Sequence, residues 1–153
     1  MKLAEALIER ADLQKRIEQV RSRIATNARY QEGAEPEEDA TALLAEAERM
    51  VATLERLLLR INTTNAATTL RDGSTVTALL ARRDALRLRH SLVSGAADAA
   101  AGSNGYRQLR SELRTMAALP VADLRKRVDD LARSIREVDV VIQRTNWEVD
   151  LAD

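Results

Sequence analysis

No cysteine occurs among the 153 residues, which excludes disulfides, a thiolate nucleophile, cysteine zinc sites and iron–sulfur clusters. Phenylalanine is also absent and aromatics amount to 2%, so any core must be aliphatic. There is one histidine, His90, and so zinc sites and His-based acid–base pairs have little to draw on. The residue three before it is Arg87, which excludes the Glu-x-x-His pair of ferritin-like di-iron sites. No P-loop, dinucleotide fingerprint or G-x-S-x-G is found. A carboxylate-only Mg²⁺ or Ca²⁺ site would need spaced ligands in a loop, and none is suggested. No stretch approaches the roughly 18 apolar residues of a membrane span. The opening MKLAEALIERADLQKR is interrupted by Glu5, Glu9 and Arg10, unlike a secretory signal. The expectation is a cytoplasmic, non-enzymatic protein with no cofactor, no metal and no catalytic residues.

What is present points to helices. Ala, Leu, Arg and Glu dominate, and charged residues make up 31% with a net charge of zero. The charges are blocked: residues 31–59 hold eight acids and two bases, residues 71–136 thirteen bases and seven acids. An acidic helix beside basic ones accounts for this. The neutral total and the lack of a recognised fold signature give no strong nucleic-acid signal.

Four segments carry apolar residues at alternating spacings of three and four, the heptad signature. The first seam is Leu3, Ala6, Arg10, Leu13, Ile17, Val20, Ile24, Asn27. The second is Leu43, Ala47, Met50, Leu54, Leu57, Ile61, Thr64. The third is Val76, Leu79, Arg83, Leu86, His90, Val93, Ala97, and the fourth Leu124, Val128, Leu131, Ile135, Val138, Ile142, Thr145. Matched lengths of about 38 Å, at about 1.5 Å per residue, predict one all-α domain over 1–153. The expected architecture is an antiparallel four-helix, coiled-coil-like bundle. Its helices fall at about 3–28, 37–64, 75–99 and 121–146, with a short extra helix at 107–117. Pro36 suits a first helical position. Asp72-Gly73 suits a type I′ hairpin, with Ser74, Thr75 or Thr77 capping the third helix. Gly102 to Gly105 suggest partial disorder at 101–105.

The second and fourth seams match at a constant offset of 81, from Leu43 and Leu124 to Thr64 and Thr145. The match continues through Asn65 and Asn146 to Leu70 and Leu151. In an up-down-up-down bundle both ends lie at one pole, with Asn62, Thr64, Asn65, Gln143, Thr145, Asn146 and Trp147. Asn is a common helix terminator. Each Thr-Asn is therefore expected to stop its helix, and the following tails to pair with the Asp-Gly hairpin as a small β cap. The functional alternative is a small-ligand pocket of amides and hydroxyls around Trp147. Arg10, Arg83 and His90 interrupt apolar seams. His90 is a candidate register-setting residue, while Arg10 and Arg83 either pair with seam-flanking acids such as Glu9, Asp12 or Asp84, or face a partner subunit in a homo-oligomer formed through helix faces.

Five stretches carry a family resemblance: MKLAEALIERADLQKRI, NARYQEG, RINTTNAAT, DGSTVTALLARRDALRLR and REVDVVIQRTNWEVDL. Through them nearly the whole chain resembles a family of small bacterial, mainly actinobacterial, helical proteins of unknown function. Some members carry the name septicolysin. The chain departs from the family at GYRQLRSELRTM, where only Tyr106, Ser111, Glu112 and Arg114 approximate its pattern. The resemblance implies an all-helical, coiled-coil-like fold and no known catalytic residues. The septicolysin name implies a pore-forming cytolysin as a further alternative.

Overall fold

The long heptad seams become four α-helices: α1 (Leu3–Asn27), α2 (Ala40–Ala67), α3 (Val76–Ala100) and α4 (Val121–Glu148). They come from a computed structural model that describes residues 1–102 and 113–152. Every residue of the four seams is buried or half-buried, Arg10, Arg83 and His90 included. Among the described residues no helix is long and apolar enough to cross a membrane. Chain contacts divide into two units, Met1–Thr75 with Arg144–Asp153, and Val76–Gln143.

In the first unit α1 runs antiparallel to α2. Leu3 and Ala6, at the start of α1, pack with Leu57 and Ile61, near the end of α2. At the opposite end Asn27 closes the seam. Its Nδ2 donates to the Arg23 carbonyl (2.9 Å), and its Oδ1 accepts from the Glu38 backbone N–H (3.0 Å). A buried amide is stable only when both its ends are used. Arg23 also grips the Glu38 carboxylate with two donors, Nε lying 2.9 Å from Oε2. That hydrogen bond holds the Glu38 carboxyl below its ordinary range.

In the second unit α3 runs antiparallel to α4. Val93 and Ala97 pack with Leu124, flanked by Ala96, Val128 and Leu131. Ion pairs join Asp98 to Arg125 (2.7 Å) and Arg87 to Asp139 (3.1 Å).

Several local expectations are corrected. Helix α2 starts at Ala40 rather than near Pro36, because Asp39 caps it: Oδ1 accepts from the N–H groups of Thr41 (2.8 Å) and Ala42 (3.2 Å). Asp72-Gly73 does not form a type I′ turn, which needs positive φ at both residues; of the two, only Gly73 has it (φ +82). The loop is the three-residue kind with a glycine bulge. Gly73 N–H donates to the Leu70 carbonyl (3.0 Å), and Leu70 N–H to the Ser74 carbonyl (2.7 Å). The extra helix at 107–117 is not seen where the chain is described: residues 113–117 are not helical, and 107–112 lie outside the described residues. The disorder expected at 101–105 also falls there from residue 103 on, while Gly102 takes a left-handed turn (φ +77).

The offset of 81 extends further than the seams. It carries both ends of α2 onto both ends of α4. At all seven seam pairs the burial class is the same. A second offset, of 73, carries both ends of α1 onto both ends of α3. It aligns Arg10 with Arg83, Leu13 with Leu86 and Val20 with Val93. The second half of the chain thus repeats the first, helix for helix.

Candidate functional site

The two Thr-Asn segments do not stop their helices. Each helix runs two residues past its Asn, to Ala67 and Glu148. The reason is the ordinary i→i−4 hydrogen bond, which continues beyond Asn in both. Thr68 N–H donates to the Thr64 carbonyl (2.9 Å) and Val149 N–H to the Thr145 carbonyl (3.0 Å). No non-glycine residue among those described has positive φ, so neither Asn acts as a left-handed terminator.

The tails beyond are extended, but they do not join the hairpin in a common β cap. Each makes one isolated antiparallel bridge, Thr69 with Thr75 and Asp150 with Lys2. The internal offsets relate these bridges: 69 and 150 differ by 81, 75 and 2 by 73. Each tail after an even-numbered helix pairs with the residue that opens an odd-numbered one.

The Lys2–Asp150 bridge is the centre of a clasp between the two chain ends. Leu3 N–H donates to the Val149 carbonyl and Leu151 N–H to the Met1 carbonyl, both at 2.9 Å. Lys2 Nζ reaches Asp150 Oδ1 (2.9 Å) and the Glu148 carbonyl (3.1 Å). The Lys2 hydrogen bond, and then its charge, hold the Asp150 carboxyl below its ordinary range. Leu151 inserts into the cluster of Leu3, Ala6, Leu57 and Ile61.

Thr64 holds the last link. It is 3% exposed. Its Oγ1 donates to the Arg60 carbonyl (2.8 Å) and accepts from Ala152 N–H (2.9 Å). Arg60 Nε donates in turn to the Ala152 carbonyl (2.7 Å). The backbone of Ala152 is thus satisfied on both sides by α2. Residues 88 apart in sequence meet here.

The residues of the expected polar pole have different surroundings. Asn62, Thr64, Asn65, Thr145, Asn146 and Trp147 belong to the first unit; Gln143 belongs to the second. Thr64, Thr145 and Asn146 are buried, and Asn65 is half-buried. Asn62 and Gln143 are exposed, and Trp147 is 55% exposed. Trp147 therefore lies at the surface rather than at the bottom of a pocket.

The seam interruptions have different surroundings. Arg83 pairs with its neighbour Asp84, Nε at 3.1 Å and Nη2 at 3.0 Å from Oδ1. Arg10 is half-buried, and its buried Nε has no hydrogen-bond partner among the described residues. His90 is half-buried. An open groove of about 730 Å³ runs along α1, lined by Glu5, Glu9, Asp12, Lys15 and Arg16 with Ile8. No group of acidic or histidine residues among those described is arranged to hold a metal ion.

What sequence reasoning missed is on the far side of α3. Leu88 and Leu92, one helical turn apart, are 73% and 71% exposed. The signal was available as a second heptad spacing in the same helix.

Three comparisons bear on the chain. A family model described as a family of unknown function (DUF6847) matches residues 10–151. The crystal structure of a functionally unknown conserved protein from Corynebacterium diphtheriae is similar, with 36% identity, 99% of each chain covered and a TM-score of 0.93. No curated protein matches the chain.

Proposed function

The chain belongs to the DUF6847 family of unknown function, so its role must be argued from its own surfaces, and we propose that it is a non-enzymatic structural or protein-interaction module that self-associates through a helix face. The observation that carries this is the exposure of Leu88 and Leu92 on one face of α3. Large apolar side chains grouped on a helix face mark interaction surfaces. The antiparallel four-helix, coiled-coil-like bundle is part of this reading; two antiparallel pairs with heptad seams support it.

The chemistry of the Thr-Asn pole supports the non-enzymatic part. Thr64 spends its hydroxyl on the Arg60 and Ala152 backbone. That is a structural use.

Light scattering of the wild-type chain tests the proposal. The expected result is a mass above 17.0 kDa that falls on dilution. A strict monomer at tens of micromolar refutes it. The two alternatives have their own readouts. A shift in Trp147 emission on adding a metabolite would favour a ligand site at the pole. Dye leakage from liposomes would favour the cytolysin that the septicolysin name implies.

A further inference from the structure

The internal repeat provides a control that a single helix never does. The outward face of α3 consists of Ala78, Ala81, Ala85, Leu88, Leu92, Gly95 and Ala99, and every one of these is exposed. Their spacings alternate three and four over the whole run, a second heptad seam of about 33 Å opposite the first. The offset of 73 places Glu5, Ile8, Asp12, Lys15, Gln19, Ser22 and Thr26 at the same positions of α1, and these too are all exposed. One fold position is thus occupied twice. In α1 it is polar at every place but Ile8; in α3 it carries no polar side chain at all. The fold does not require the apolar version, because α1 does without it.

Charge then identifies the occupant and its direction. With Ala78, Ala85, Leu92 and Ala99 as heptad a positions, and Ala81, Leu88 and Gly95 as d, the flanking e positions include Arg82 and Arg89. The g positions include Asp84 and Asp98. In a parallel pair of identical helices each g residue meets the e residue five further along the partner. Asp84 of each copy then faces Arg89 of the other, twice by symmetry. In an antiparallel pair centred between Leu88 and Leu92, like meets like: Arg89 faces Arg89, and Asp84 faces Asp98. Asp84 is available for this, its side chain being 67% exposed even with Arg83 beside it. The small residues flanking the two leucines let two helices approach toward the short end of the usual range, about 8 Å.

We propose that α3 of this chain pairs in parallel with α3 of a second copy, Leu88 and Leu92 forming the central layers and Asp84–Arg89 pairs fixing the direction. This rests on the self-association reading above and names the face and geometry that carry it. The symmetry is a closed two-fold, so assembly stops at a dimer.

The test uses the full-length chain. Wild-type protein is expected to scatter as twice 17.0 kDa, and Leu88→Glu/Leu92→Glu as a monomer with unchanged far-ultraviolet circular dichroism. Asp84→Arg is expected to weaken the dimer at least tenfold, and Asp84→Arg/Arg89→Asp to restore it. Because the chain lacks cysteine, Ala85→Cys alone reads the direction. A parallel pair oxidises to a covalent dimer; an antiparallel one sets the two thiols far apart and does not. This variant leaves both leucines in place, so it decides the matter even if the glutamate variant fails to fold. A wild-type monomer overturns both this proposal and the self-association reading. A dimer that survives the glutamate substitutions, or that forms no Ala85→Cys cross-link, overturns the α3 pairing and leaves self-association to another face.

Discussion

Replacing Thr64 by Val removes one hydroxyl and keeps the branched shape. Helix propensity is nearly equal for the two residues, so the backbone term cancels. What is lost is the acceptor for Ala152 N–H, at 2.9 Å in a site where Thr64 is 3% exposed. A neutral hydrogen bond contributes about 1 kcal/mol, and an orphaned buried donor costs about 1–3 kcal/mol. The methyl group that replaces the hydroxyl returns up to about 0.8 kcal/mol. The net is a loss of about 1 kcal/mol, or a fall in Tm of about 2–4 °C for a chain of this size. Urea unfolding followed by circular dichroism measures it. Trp147 emission, one turn before the tail, reports the same end of the molecule. Thr63→Val is the control: Thr63 is the residue just before Thr64 in α2 and is exposed, so its change should stay within about 0.5 kcal/mol. Leu151→Ala should cost about 2–5 kcal/mol by emptying a buried site. Combined with Thr64→Val it should cost less than the sum, since both release the same tail. Equal effects at Thr63 and Thr64, or strict additivity with Leu151, would refute the clasp as a cooperative element.

Ala11→Asp should stabilise the chain. It places at α1 the acid that Asp84 supplies to Arg83 in α3, and so gives the buried Arg10 Nε a partner. A charged hydrogen bond of about 1.5–3 kcal/mol against about 0.5 kcal/mol of helix propensity leaves a gain of about 1–2.5 kcal/mol, read as a rise in Tm. Gly95→Ala should also stabilise, by up to about 1 kcal/mol, because nothing lies within 4 Å of the added methyl. The Lys2–Asp150 pair makes the clasp acid-sensitive. The folded Asp150 pKa is depressed, so its contribution is full above the ordinary value of about 3.9 and is lost as pH falls through the folded one. Amide exchange at Leu3 and Leu151 should therefore speed up in acid beyond its intrinsic trend in wild-type protein, and far less so in Asp150→Asn.

The seams were legible because heptad spacing is set by burial alone, and burial is what the helices have in common. All four were read residue for residue, down to the polar closures at Asn27 and Thr64. The ends of α2 and α4 lie beyond the Thr-Asn positions because Asn stops a helix by taking the left-handed conformation, which neither Asn65 nor Asn146 adopts. The Thr68 hydroxyl donates to the Thr64 carbonyl at 2.8 Å beside the backbone bond, and this local pairing extends the turn. The clasp was not legible at all: nothing near Thr64 in sequence signals Ala152, and only the chain's return brings them together. The offset of 73 rests on the element bounds of α1 and α3. Arg10 and Arg83 are one fold position occupied twice.

That equivalence changes what the arginines mean. An Arg inside an apolar seam invites the inference that it faces a partner subunit. Here the same Arg recurs at the same position in both halves, half-buried each time. A feature that two halves share, in helices with different outer faces, belongs to what they have in common, the helix-pair fold. Thr64 and Thr145 fall under the same logic, buried alike at the ends of equivalent seams. Function should instead be sought where the halves differ at equal exposure. By that criterion the outer face of α3 is the place to test first, since Leu88 and Leu92 stand where α1 has Lys15 and Gln19. The repeat separates residues kept by packing from residues free to serve a partner.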